Sequence, residues 1–338
     1  MPTVRTFFTL VLLAVLAFGG WLAWALMQPV TPAGQTFVLL HPGYSTRRIA
    51  TELQSAGVIR DANAFVVWHY LHRTHSLKAG EYLFEKSATS LDVHRRLVHG
   101  DVYFHTVVIP EGYNIFDVAH AVQNAGLGSS DEFLRVATSD TALIADLAPE
   151  AKSLEGYLFP NTYEFSRMQT MQEMAAAMVK QFRQVAREIG LITDQNVSAQ
   201  KNDTQQAVIL ASIIEKETAA PEERPLVASV YYNRMARHVA LQADPSVIYA
   251  ELLQGSYTGA LHHADMQFNS PYNTYTHAGL PPGPIGNPGK TSLEAAMHPA
   301  DTDYFYFVSN GNGHHRFARN LEEHNKNVAA YRKVMAGK

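Results

Sequence analysis

The 338-residue chain contains no cysteine. That excludes a disulfide framework, a thiolate metal site and a thiol nucleophile. Concentrated positive charge is missing too. The 27 Lys and Arg are scattered among 31 Asp and Glu for a formal net charge of −4, so no phosphate-tracking surface forms and nucleic acid is excluded as a partner. Sixteen histidines raise the question of metal, yet no H-E-x-x-H occurs. The adjacent pairs His262-His263 and His314-His315 cannot both aim at one ion without strain. No metal and no cofactor is expected. With 46% hydrophobic and 17% charged residues the chain is not disordered, and its length allows two or three domains.

Long apolar runs are absent with one exception. From Phe7 to Met27, "FFTLVLLAVLAFGGWLAWALM" carries no charge, and about 20 such residues at 1.5 Å rise cross a bilayer core. A cleaved signal has a shorter apolar core ending in small residues. This run instead ends in Trp21, Trp24 and Met27, with the tryptophans where an interfacial belt would sit, so the anchor is expected to stay. Arg5 precedes it, and the positive-inside rule then puts residues 1–6 in the cytoplasm and everything after the span outside. Residues 28–36, "QPVTPAGQT", read as a juxtamembrane linker.

An internal duplication follows. "HPGYSTRRIATELQSAG" (41–57) resembles "PEGYNIFDVAHAVQNAG" (110–126) at a constant offset of 69. Each copy reads as a strand, a Gly-Tyr turn and a helix closed by glycine. Between them lie a strand-like "AGEYLF" (79–84) and a helical "SLDVHRRLVHG" (90–100). Small units of this kind make compact binding modules, and residues 37–150 are expected to form one duplicated module. Residues 151–338 read as a helix-rich α+β domain. It contains an aromatic loop at 154–165, a long amphipathic helix at 170–190, an apolar helix that Asp203 or Thr204 can cap, and a helix at 221–238. A loop-heavy stretch over 243–290 comes next, then a helix at 291–300, a strand at 304–310 and a C-terminal helix.

The apolar helix holds the chemistry. "AVILASII" (207–214) is apolar on all sides save Ser212, which marks a buried helix, and it runs into Glu215 and Glu217. Helical spacing puts Glu215 with Val208, Ala211 and Ser212, and Glu217 with Leu210, Ile213 and Ile214. A carboxyl desolvated among such neighbours has its pKa raised and holds a proton near neutrality, as a general acid requires. Nearby amides and aromatics, among them Tyr231, Tyr232, Asn233 and "SPYNTYT" (270–276), are the side chains that line sugar clefts. The Pro/Gly-rich "GLPPGPIGNPG" suits a rigid wall beside a groove. Expected cleft residues besides Glu215 are Glu217, Asp244, Gln242, Tyr272, Asn273, Tyr232 and Asn233. Arg234 is placed on Glu217 or a substrate carboxylate, or in a structural ion pair, and His315, Asn320, His324 and Asn325 either on substrate or bracing the loop.

"LEGYLFPNTYEF", "ASIIEKET", "VASVYYNRM", "LQADPSVIY", "YNTYTHAGLPPGPIGNPG", "SLEAAMHPA", "YFYFV" and "HHRFARNLEEHNKNV" together resemble, in order, the motif series of the MltG/YceG-like endolytic murein transglycosylases. The resemblance covers about residues 37–335 and takes in the single N-terminal anchor. It implies a LysM-like peptidoglycan-binding N-terminal region and cleavage of nascent glycan strands at the MurNAc–GlcNAc linkage to 1,6-anhydro ends. It also implies residence in the inner membrane with the catalytic domain periplasmic, peptidoglycan synthases as possible partners, and the first acid of E-K-E-T, Glu215, as the catalytic group. The chemistry is compatible. Most glycosidases use two carboxylates, whereas one suffices if the sugar's own 6-hydroxyl is the nucleophile. Two other readings stay open: a muramidase using Glu215 with Asp244, and a non-catalytic wall-binding scaffold.

Overall fold

The computed structural model describes residues 2–72, 76–193 and 201–336. Helix α1 (Pro2–Met27) contains the one described helix long and apolar enough to cross a membrane, Val4–Met27. Along most of its length large apolar side chains such as Phe8, Leu13 and Leu16 are exposed. The last turn behaves differently. Ala25 and Leu26 are buried against Ala64, with Trp21, Leu22 and Trp68 packed alongside, and the Arg60 guanidinium lies 4.8 Å over the Trp24 ring. Trp21 and Trp24 therefore have protein partners where an interfacial belt was expected. The linker at 28–36 is also tied down, because Val30 exchanges backbone hydrogen bonds with Ala88 at 2.9 and 3.1 Å.

The duplication is larger than its legible part. The first copy runs β1 (Thr36–Leu40), α2 (Thr46–Ser55), α3 (Ala62–Leu71), β2 (Gly80–Phe84), α4 (Ser90–His99). The second runs β3 (His105–Ile109), α5 (Ile115–Asn124), α6 (Ser130–Ser139), β4 (Asn161–Phe165), α7 (Met171–Glu188). In each, the two strands pair. The fifth element of each starts with the same reciprocal cap, Thr89 with Asp92 and Thr170 with Glu173. The first copy closes over Leu40, Leu53, Phe65, Tyr82, Phe84 and Leu97.

The chain divides into two compact units, and the division falls between the copies rather than after residue 150. One unit runs to His105 and takes back Glu164–Gln169; the other holds Thr106–Tyr163 and everything from Thr170. In the second unit lie α8 (Lys201–Glu217), α9 (Arg224–Ala236), α10 (Asp244–Gln254), α11 (Lys290–Met297), β5 (Tyr306–Ser309), β6 (His315–Ala318) and α12 (Leu321–Ala336). The architecture is helix-rich α+β. Two local readings change. Asp203 and Thr204 lie inside α8, which is already helical at Lys201, so they do not cap it. "DPSVIYAELLQ" is helix α10 rather than loop, with Pro245 in its first turn, where a missing N–H costs nothing.

Helix α8 is buried along Val208–Ile214 and packs against α9, α10 and α11. The one polar residue of that stretch ties down the Pro/Gly-rich loop, since Ser212 Oγ accepts the Ile285 N–H at 3.0 Å. Gly286 follows because a Cβ there would sit 2.9 Å from the Gly112 carbonyl oxygen. Asn287, fully buried, holds the second repeat copy to this core. Its Nδ2 donates to the Tyr113 carbonyl (2.8 Å) and to Glu155 (3.1 Å), and its Oδ1 accepts the Leu158 N–H (2.9 Å). Replacing Asn287 by Ala strands several buried groups, each costing about 1–3 kcal/mol. The N287A chain in detergent is expected to unfold about 2–4 kcal/mol more easily by denaturant titration.

Candidate active site

The two acids at the end of α8 meet different surroundings. Glu215 is tied up on both oxygens: the Arg224 Nη2 donates to Oε1 at 2.8 Å and the Gly289 N–H to Oε2 at 2.9 Å. Its side chain is only 5% exposed and lines none of the described clefts. One guanidinium and one backbone N–H make it a brace between α8, α9 and the start of α11.

Glu217, the last residue of α8, lines a cleft of about 300 Å3 together with Arg234, Gln242, Asp244, Tyr275, Phe307, Ser309, His315 and His324. Among the described residues no salt bridge reaches it. The Tyr231 hydroxyl donates to its Oε1 at 2.8 Å. Burial pushes its pKa up to about 7. Asp244 adds to the rise, while the Tyr231 hydrogen bond and the Arg234 charge oppose it. The C-terminal end of a helix, where carbonyls point outward, also disfavours negative charge. This is the desolvated carboxyl that the sequence predicts on α8, two residues beyond the position expected for it.

Of the other predicted cleft residues, Asp244 and Gln242 are there. The Asp244 carboxylate accepts a short hydrogen bond from the Tyr275 hydroxyl. Gln242 sits at a φ of +54° and its Oε1 accepts from Arg234 at 3.1 Å. Tyr272, Asn273, Tyr232 and Asn233 are not in this cleft. Tyr272 packs on Tyr249 in a separate cavity of about 260 Å3. Asn273 is fully buried, donating to the carbonyls of Met266 and Phe268. The Tyr232 hydroxyl donates to the Ala296 carbonyl, and Asn233 Nδ2 to those of Thr302 and Tyr304. Asn273, Tyr232 and Asn233 hold loops, because each donates to backbone carbonyls. The Pro/Gly-rich loop likewise lines the separate cavity and not the cleft.

Arg234 holds neither Glu217 nor an open binding position. Its guanidinium donates to the carbonyls of Phe305, Ala240 and Leu241 at 2.8–3.0 Å and fixes the cleft floor. Tyr275 and Glu223 are functional candidates that sequence reasoning missed. Tyr275 shares the "YNTYT" segment with two residues that were chosen, and nothing in its spacing sets it apart. A second buried carboxyl also went unread. Glu155 accepts the Ile115 N–H and the Tyr249 hydroxyl, both at 2.9 Å, and burial pushes it up to about 8.

The YceG-like family model matches residues 38–330. The chain belongs to the YceG-like family. Among curated relatives in it, the endolytic murein transglycosylase of Bacillus subtilis (strain 168) is 31% identical over 325 residues, covering 91% of this chain and 88% of that protein. The endolytic murein transglycosylase of Streptococcus pneumoniae (strain ATCC BAA-255 / R6) is 29% identical over 360 residues. That alignment takes in 95% of this chain and 64% of the longer relative. A crystal structure of a yceG-like protein from Listeria monocytogenes superposes with a TM-score of 0.58 at 31% identity, covering 86% of this chain and 98% of that one.

The two raised carboxyls set a pH dependence for this YceG-like fold. Glutamates at about 7 and about 8 in the fold, against an ordinary 4.5, keep protons that the unfolded chain has released. Their contribution is present below the ordinary value and is lost as pH rises from about 4.5 to about 8. Denaturant titrations at pH 5, 6.5 and 8 are expected to show the parent losing stability relative to E217Q, and separately to E155Q, as pH increases.

Proposed function

We propose that this chain is a membrane-anchored peptidoglycan lytic transglycosylase whose general acid is Glu217. The observation that carries the reading is a carboxyl pushed up to about 7, in no salt bridge among the described residues, in the wall of an open cleft. Family membership and the murein transglycosylase activity for which its relatives are named support peptidoglycan as the substrate class; the bond cut would be the MurNAc–GlcNAc linkage of glycan strands. Protonated Glu217 donates to the bridging oxygen. The 6-hydroxyl of the sugar left with the positive centre closes on C1, giving the 1,6-anhydro end. Asp244, held by Tyr275, supplies negative charge for the oxocarbenium-like transition state.

The apolar helix would fix the enzyme in the inner membrane with both units on the periplasmic side, near newly made strands and the synthases that extend them. The first repeat copy, with strand, two helices and strand in order, suits a LysM-like wall-binding role. A second reading, a two-carboxylate hydrolase, draws on Asp244 lining the same cleft as Glu217.

Mass spectrometry of digested glycan strands separates these, since anhydro ends lack one water relative to hydrolysed ends. Full-length E217Q is expected to lose at least about a hundredfold in activity, the low end for a general acid. E215Q is expected to keep activity within about tenfold per folded molecule while being less stable, because it breaks a buried ion pair. Full activity in E217Q together with abolished activity in a folded E215Q would return the role to Glu215. Equal strand release by E217Q, E215Q and the parent would leave only the scaffold.

A further inference from the structure

We propose that His315, oriented by Glu223, is the base that takes the proton from the sugar's 6-hydroxyl, so that proton donation and proton removal fall to two groups. The inference rests on the transglycosylase reading above and deepens it.

The geometry is that of an oriented imidazole. His315 opens β6 and lines the cleft together with Glu217. Its Nδ1 lies 2.7 Å from Glu223 Oε2, and its own backbone N–H donates to Glu223 Oε1 at 2.9 Å. Burial pushes the Glu223 carboxyl up, but the His315 hydrogen bonds and charge, with a further contact from His314, hold it below the ordinary value. Glu223 is therefore an acceptor-only carboxylate, and Nδ1 must carry the hydrogen between them. The uncharged ring then has its lone pair on Nε2, and no hydrogen bond to Nε2 is made among the described residues. Phe307 packs edge-to-face against the ring, with centroids 5.4 Å apart. A carboxylate fixing the tautomer and a ring edge fixing the tilt are how histidine bases are positioned.

The rest of the cleft favours this division of labour. Tyr231 occupies Glu217 Oε1, so one oxygen of Glu217 would otherwise have to deliver a proton and then collect another from a different sugar atom. Asp244 is the other carboxylate in the cleft and is committed to Tyr275. His324 stacks on Tyr306, and burial and Arg234 lower its pKa. The charged and titratable groups around His315 are thus Glu223, Glu217, Asp244, Arg234 and His324, with Glu222 reached through His314. The connection to the acid is short in sequence: Thr218, next to Glu217, donates to Glu223 Oε2 at 3.3 Å.

The step balances without a co-reactant. The Glu217 proton goes to the bridging oxygen, which leaves with the electron pair of its bond to C1. The 6-oxygen bonds to C1 and its proton passes to His315 Nε2. Glu217 is left as carboxylate and His315 as imidazolium, and exchange of one proton through solvent restores both.

The test measures kcat and KM against pH for the full-length chain in detergent, with purified glycan strands and anhydro ends read by mass spectrometry. H315Q is expected to lower kcat by about a hundredfold or more with KM within about threefold, and to remove the acid-side limb of the kcat/KM profile while the alkaline limb from Glu217 stays. E223Q is expected to weaken the same limb by about ten- to a hundredfold in kcat, since the wrong tautomer is then allowed. H315A is expected to regain activity with added imidazole. A folded H315Q with kcat within threefold of the parent, or with its acid limb intact, overturns the proposal. A rise in KM alone overturns it in favour of a substrate contact, and loss of the limb in D244N but not H315Q transfers the role to Asp244. Undiminished activity in E217Q refutes the underlying reading instead, whatever His315 does.

Discussion

Everything in the cleft depends on one carboxyl being buried with no salt-bridge partner among the described residues. Helix α8 ends in two glutamates two residues apart, and the fold neutralises only one. Arg224 and the Gly289 N–H occupy Glu215, while Glu217 receives a phenol and faces Asp244. Environments that separate two neighbouring acids are how one site obtains a proton donor and a fixed charge from the same side chain type. Glu215 pairs with Arg224 at the start of α9, and neither residue lines the cleft.

The stretch "EKETAAPEER" is a wiring diagram for this arrangement. Its first acid pairs with its last residue, Arg224. Its third residue, Glu217, faces the cleft. Its fourth, Thr218, caps the turn through the Ala220 N–H at 3.1 Å and also reaches Glu223. A 3-10 turn over Pro221–Glu223 brings the last glutamate round to His315. Three of the four glutamates within these nine positions thus have three fates, and the short turn between α8 and α9 makes all of them possible. Around this core, amides that look suited to sugars satisfy loop carbonyls. Buried backbone groups must find partners, and Asn233, Asn273 and Asn287 are those partners.

Periodicity and composition made the long apolar N-terminal helix, the buried character of α8, the helix-rich class and the first strand-helix of each repeat legible. Those features are local. What the sequence hid depends on contacts between distant positions. Helical spacing puts Glu215 and Glu217 equally among apolar neighbours, and only the return of Arg224 and Gly289 tells them apart. The repeat was readable over 17 residues because its turn and first helix share residue types, whereas the later helices of the two copies share only their caps. Tyr272 and Tyr275 differ by three positions in an irregular loop, where no period predicts direction. Helix α10 was obscured by the Asp-Pro that starts it. Glu223 and His315 are 92 positions apart, so their partnership was invisible to spacing.

On the proposed reading of Glu217 as the proton donor, its value of about 7 bears on turnover. An ordinary glutamic acid at 4.5 would be protonated only about 0.3% of the time at pH 7, whereas one titrating near 7 is protonated about half the time. Raising the value further would fill the protonated state but make a poorer donor, and proton transfer is favoured most when the donor titrates near the working pH. Tyr231 is the moderating element: its hydrogen bond to Oε1 stabilises the carboxylate left after donation and opposes the burial that raised it. The phenol therefore sets how far desolvation carries the acid.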